Sequence, residues 1–229
     1  MSNDNNNSKI KNAILINEFS EQGFKNFKND FDDINCSNLP IIPIIIDSFG
    51  GDVYSLLAMI DVMSTASKPI ATIALGKAMS CGSVLLTCGS KGLRFVGPHA
   101  TVMVHDVATL SFGKIEELKA DVGEAERLNI KIFNLLNTRC DQPKGFFQKK
   151  VSDRKHINWF LDPREVLKYG LADHIGVPII DSFFNLEVVK EFAAARVSSK
   201  VKVNRKKARS KNEKVVLRKK RGTTRKSGK

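Results

Sequence analysis

The chain is poor in cysteine, has no long uninterrupted apolar run and carries no phosphate-loop signature, and each absence removes a class of protein. Its four cysteines, Cys36, Cys81, Cys88 and Cys140, form no C-x-x-C pair, which argues against a zinc ribbon, a redox motif or a disulfide scaffold. Buried, unpaired thiols in a reducing compartment are the expectation. The apolar stretches are broken by Pro, Gly or charge well short of the ~20 residues that a membrane helix needs. The opening "MSNDNNNSKIKNA" lacks the basic and apolar regions of a secretory signal. The expected location is therefore the cytoplasm or an organellar stroma or matrix, without secretion. Neither G-x-G-x-x-G nor G-x-x-x-x-G-K-[ST] occurs, and no His, Cys and carboxylate grouping has metal-ligand spacing, so neither a cofactor nor a metal is expected.

Acidic and aromatic residues are scarce at one end only. Residues 196–229 hold 16 of the 37 Lys and Arg, a single acid, Glu213, and no aromatic residue. A tail charge of +15 within a whole-chain charge of +13 leaves residues 1–195 at −2. So few large apolar side chains cannot offset the entropy of ordering, and the tail is expected to be disordered when free. It reads either as an electrostatic arm for nucleic acid or an acidic partner, with salt-sensitive affinity, or as a solvated tail. Residues 1–12 read as a flexible N-terminus, which leaves one domain over 13–195.

Within that domain strand and helix patterns alternate. "AILIN" (13–17) reads as a short strand. Over 20–35, Phe24, Phe27 and Phe31 recur at helical spacing behind a candidate N-cap, Ser20. "IIPIIID" is β-branched and reads as a buried strand ending at Asp47. "SFGG" must turn, and "DVYSLLAMIDVMSTA" is helical. "PIATIAL" (69–75) reads as a strand, "GKAMS" as a turn, "CGSVLLTCG" as a short helix, and "LRFVG" and "ATVMVH" as further strands. From Lys114 to about Thr138, Ile115, Leu118, Val122, Ala125, Leu128, Ile132 and Leu135 form the stripe of a long amphipathic helix. This alternation indicates a layered α/β fold with a largely parallel sheet.

Two strands end in glycine-containing turns that open helices, at "DSFGGDV" and "GKAMSCGS". In a parallel sheet such ends share one edge, where α/β proteins bind ligands. Glycine lets backbone N–H groups converge, and two such groups can hold an oxyanion. Ser80 opens its helix and needs a base; His105, which follows "TVMV", is the one histidine of four with a strand-end context. Equally, Ser80 could cap its helix and His105 could be a satisfied loop residue. Cys81 is most simply a small buried helix residue.

The motifs "IIIDSFGGDV", "KPIATIALGKAMSCGSVLLTCGSKGLRFVGPHATVMVH", "DQP" and "FLDPREVLKYGLADHIG" follow one another in unbroken order. Together they resemble the proteolytic subunit of the Clp protease, a serine peptidase family with a ClpP/crotonase-like layered fold, from about Ala13 to Ile180. The resemblance implies Ser80 as nucleophile, His105 as general base and the N–H groups of Gly51 and Cys81 as oxyanion donors. It also implies stacked rings, usually heptamers, with the helix over 114–138 at the ring contact, and an unfoldase ATPase as partner. Two departures stand out. Asn158 occupies the position of the family's triad aspartate, and "KGFFQKKVSDRKHI" contains an insertion in which Asp153 is an alternative orienting acid. Only about twelve residues precede Ala13 where the family has a docking segment, which puts the ATPase partnership in doubt. The leading expectation is a serine endopeptidase subunit acting through an acyl-enzyme at Ser80. The alternative is a catalytically weak or inactive subunit that shapes or tethers a mixed ring.

Overall fold

The computed structural model describes residues 12–180 together with two strands at 186–192 and 195–199. The chain begins with β1 (Ile14–Ile16), α1 (Glu21–Cys36), β2 (Ile42–Ser48) and α2 (Val53–Met63). Both helices start as their sequences dictate. The Ser20 hydroxyl accepts from the Gly23 N–H at 2.9 Å, and the Asp52 carboxylate accepts from the Ser55 N–H at 2.6 Å. Each satisfies an N–H that the first helical turn leaves without a partner.

β3 (Ile70–Met79), α3 (Cys81–Thr87), β4 (Arg94–Val96) and β5 (Thr101–Val104) follow. Next come α4 (Ile115–Arg139), α5 (Phe146–Ser152), β6 (Trp159–Leu161), α6 (Pro163–Lys168) and β7 (His174–Ile175). The first seven strands form one sheet, ordered β1-β2-β3-β4-β7, with β5 beside β3 and β6 beside β5. Every pairing in it is parallel except β5 with β6. This is the layered, largely parallel α/β fold expected. Beyond it, β8 (Val177–Ile180) pairs antiparallel with β9 (Leu186–Phe192), which neighbours β10 (Ala195–Ser199).

The strand pattern explains the core. Successive side chains on a strand point to opposite faces, so Ile42, Ile44 and Ile46 of β2 join the main core with Phe27, Phe31, Leu56 and Leu85. Ile45 packs instead on a smaller cluster of Ala71, Ile73 and Phe95. A strand buried on both faces reads as a continuous apolar run, which is why "IIPIII" shows no alternation.

Three expectations need correction. The segment "GKAMS" is not a turn: β3 runs through it to Met79. Its first half pairs with β4, and Lys77–Met79 pair with Thr101–Met103 of β5. The exchange of partners occurs at Gly76, at φ 68°, where β2 advances from Ile46 to Ser48 while β3 advances from Ala74 to Ala78. Extra residues on one strand bend it and re-aim its end. Second, the stripe of α4 is buried only over its C-terminal half, at Leu128, Ile132, Phe133 and Leu136. Ile115 and Val122 are exposed. Third, Cys36 is exposed, since it ends α1, whereas Cys81, Cys88 and Cys140 are buried and all four are unpaired.

Among the described residues no helix is long and apolar enough to cross a membrane, and no group of three or more His, Cys, Asp or Glu could hold a metal ion. Residues 1–11, and the basic tail from residue 200 onward, lie outside the described residues; the first residues of the tail run in β10.

Candidate active site

The ends of β2 and β3, which carry the two glycine-containing motifs, do meet at one sheet edge. Ser48 ends β2, and its hydroxyl accepts from the Gly50 N–H at 3.1 Å, which shapes the turn. Gly50 and Gly51 take φ of 108° and 147°, angles that L side chains rarely adopt. A Cβ on Gly50 would lie 2.6 Å from Ser80 Cβ, and one on Gly51 would lie 2.3 Å from the Phe19 carbonyl oxygen. Both glycines are thus required by close approach as well as by φ.

Ser80 sits between β3 and α3 at φ 53° and makes no side-chain capping bond to its helix. A capping role therefore does not describe it. Its backbone is held on both sides: the N–H donates to Met103 O at 2.9 Å, and the carbonyl accepts from Ser83 N–H at 3.0 Å. A non-glycine residue held at positive φ on a sharp strand-to-helix turn stores strain and presents its side chain outward, the geometry of a nucleophile elbow.

His105 follows β5, the strand that pairs with the end of β3, and its Nε2 lies 2.8 Å from Ser80 Oγ. Burial pushes the imidazole below its ordinary pKa, with the charge of Asp106 opposing that effect. The ring is therefore neutral near pH 7 and able to accept a proton. Cys81 behaves differently. Burial raises its thiol to about 11, and its Sγ–H donates to Gly51 O at 3.2 Å. A thiol held so far from ionisation has almost no thiolate character near pH 7.

The bridge between Phe19 and Gly51 uses the Phe19 N–H, donating to Gly50 O, and the Asp52 N–H, donating to Phe19 O. The Gly51 N–H takes no part in it. Cys81 is the first residue of α3, so its N–H has no carbonyl within the helix to bond. Ser80, His105, Gly51 and Cys81 line one cavity of about 160 Å³, with Val53, Leu56, Val84, Ile132 and Leu136 as its apolar wall.

The third position is less complete. β6 runs antiparallel to β5 with Val104 opposite Trp159. Extending that register by one residue sets Asn158 across from His105, but among the described residues no hydrogen bond joins their side chains. Asp153 is exposed at the C-terminal cap of α5 and makes no hydrogen bond to His105 either. Sequence reasoning passed over Asp106 and His156. The Asp106 carboxylate accepts from Asn129 Nδ2 at 2.9 Å and pairs with His156 Nδ1 at 2.8 Å. The available signal was Asp106 itself, a carboxylate next in sequence to the candidate base.

A strained serine on a strand-to-helix turn, a histidine within hydrogen-bond reach and a glycine-dependent turn beside them at one sheet edge define the class: α/β proteins with a serine–histidine site. Within that class, the chain belongs to the Clp protease family, whose profile matches residues 36–178. The ATP-dependent Clp protease proteolytic subunit of Deinococcus radiodurans is 34% identical over 134 residues, which is 58% of this chain and 64% of that relative. The chloroplastic ATP-dependent Clp protease proteolytic subunit 6 of Arabidopsis thaliana is 36% identical over 124 residues, 54% of this chain and 44% of that relative. The matches thus span less than two thirds of either relative's length. The family resemblance drawn from the motifs is borne out.

Proposed function

We propose that this chain is a serine-type endopeptidase subunit of a Clp-type compartmental protease. The observation that carries the reading is the 2.8 Å contact between His105 Nε2 and Ser80 Oγ. Ser80 Oγ attacks the scissile carbonyl carbon while its proton passes to His105 Nε2. The carbonyl oxygen becomes an oxyanion held by the N–H groups of Gly51 and Cys81, each such donor contributing about 3 kcal/mol to the lowered barrier. His105 then protonates the departing amine, and water, deprotonated by the same ring, releases the acyl group. The apolar wall of Val53, Leu56, Val84, Ile132 and Leu136 beside Ser80 favours substrates with an apolar side chain at the cleaved bond.

Self-association into rings is part of the proposal. Leu110, Phe112, Ile115 and Val122, before and along the first half of α4, are large apolar side chains left exposed in the single chain. Covering them against another copy would remove their apolar surface from water. An unfoldase ATPase is the corresponding partner for substrate delivery, in a cytoplasmic or organellar compartment. The basic tail from Arg196 onward is proposed as an electrostatic arm for nucleic acid or an acidic partner.

A second reading is favoured by Asn158. An amide can accept the Nδ1–H of a histidine but supplies no charge to an imidazolium, and the same exchange in a serine protease of another fold lowers turnover roughly ten-thousand-fold. On that reading the chain is a weak or silent subunit of a mixed ring. Labelling of the assembled protein by a fluorophosphonate separates the two: labelling lost in Ser80→Ala supports the peptidase, and an unlabelled ring supports the silent subunit.

A further inference from the structure

We propose that Asp106 is a positioning residue that supplies His105 with the negative charge Asn158 lacks. The inference rests on the reading of Ser80 as nucleophile and His105 as base. When the Ser80 proton moves to Nε2, His105 becomes a cation, and the site needs a fixed anion near it to hold that charge. The neutral amide of Asn158 cannot provide one.

Asp106 is held where an anion is useful. Asn129 of α4 donates from Nδ2 to its Oδ1 at 2.9 Å, and the Oδ1 of the same asparagine accepts from the Val107 N–H at 3.0 Å. One side chain of α4 thereby fixes both the carboxylate and the backbone that follows it. The second carboxylate oxygen faces His156 Nδ1. Asp106 also borders the cavity that contains Ser80 and His105. The carboxylate makes no direct hydrogen bond to His105, the residue before it in the chain, so its action is through charge and not through contact.

The ionisable groups around this pair come from several elements. Cys81 of α3 follows the serine and lines the same cavity, Asp52 at the cap of α2 acts by charge on Cys81, and His156 of the loop between α5 and β6 touches Asp106 from outside. α4 contributes the neutral Asn129 and Ile132 on this side. Among the described residues, Asp106 is the group whose charge acts on His105. His156 is largely exposed and holds the outer oxygen of Asp106.

The test uses the full-length assembled protein and does not depend on activity. Modification of His105 by diethyl pyrocarbonate, followed by peptide mass spectrometry across pH, reads the fraction of neutral imidazole. Asp106→Asn keeps an oxygen for Asn129 and removes the charge. Its His105 midpoint is expected roughly half a unit to one unit below wild type, because losing a nearby anion disfavours the cation. Asp106→Glu is expected to restore the wild-type midpoint. Should the Asn variant fail to assemble, Asp106→Ser, which also lacks the charge, gives the same reading. Turnover is expected to fall at least about tenfold with KM unchanged, and the acid limb of its pH profile to move with the midpoint. An unchanged or raised midpoint in the uncharged variants overturns the proposal even where Ser80 is labelled. Failure of the wild-type chain to label overturns the peptidase reading instead, so the two failures are told apart.

Discussion

His105 Nε2 stands 2.8 Å from Ser80 Oγ although the two residues are 25 apart in sequence. They meet because β5, which ends just before His105, pairs in parallel with the last three residues of β3, which ends just before Ser80. The contact therefore depends on β3 continuing past Gly76, and on the turn at Gly50 leaving room for Ser80.

That dependence makes Gly50→Ala informative. A methyl group at this position would lie 2.6 Å from Ser80 Cβ, and the backbone there has φ of 108°. The expected result is a loss of labelling at Ser80 of at least about tenfold, with a fall in thermal midpoint from strain of roughly 1–3 kcal/mol. Labelling rate and a melting curve on one preparation check both.

On the proposed reading, His105 sets the pH range of the reaction. Its burial lowers its pKa, with Asp106 pulling the other way, so the acid limb of kcat/KM should have its midpoint below the ordinary histidine value of about 6.5. The same shift affects stability. A buried imidazole held neutral contributes stability that is full above the unfolded pKa and declines as pH falls through the folded one. A pH–rate profile on a small peptide ester checks the first statement.

Asn158→Asp is expected to raise turnover. The register between β5 and β6 puts this residue opposite His105, so a carboxylate there would add an anion to orient the ring and stabilise its cation. The rate on a peptide substrate, compared with wild type in equally assembled protein, is the measurement. Activity lost in Asp153→Ala alone would instead assign the orienting role to the inserted segment.

The scaffold behind the site is locked by Arg94 and Asp173. Arg94 is almost fully buried, donates to Asp173 through Nε at 3.0 Å, and donates through a second nitrogen to the carbonyls of Arg139 and Gly170. Burial pushes the Asp173 carboxyl up, but the hydrogen bonds and charge of Arg94 outweigh it and hold the group below its usual value. Asp173→Ala leaves the guanidinium unpaired and should cost about 3–5 kcal/mol in denaturant unfolding. In wild type the contribution of Asp173 is full above a carboxyl pKa of about 3.9 and is lost as pH falls through its lower folded value. The variant should not show that component.

Much of this was legible in local pattern. Phe27 and Phe31 announced the buried face of α1, Ser20 its start, and the β-branched run of β2 a strand buried on both faces. Ser80 and His105 were legible because each follows an apolar strand, and parallel strand ends share an edge. Other features depend on partners that a local pattern cannot reveal. Gly76 reads as a turn because nothing in "GKAM" shows that β5 lies ready to pair with it. Ile115 and Val122 keep the period of a buried stripe although both are exposed among the described residues. Asp106 and His156 meet across 50 residues, in loops without periodicity, so only the folded chain brings them together.

The most direct test of the central claim is fluorophosphonate labelling of the assembled full-length protein, with the modified residue located by mass spectrometry. The account predicts a single adduct on Ser80 that is absent in Ser80→Ala and reduced in His105→Ala. A ring of native mass that takes up no probe, or an adduct that persists in Ser80→Ala, would contradict it.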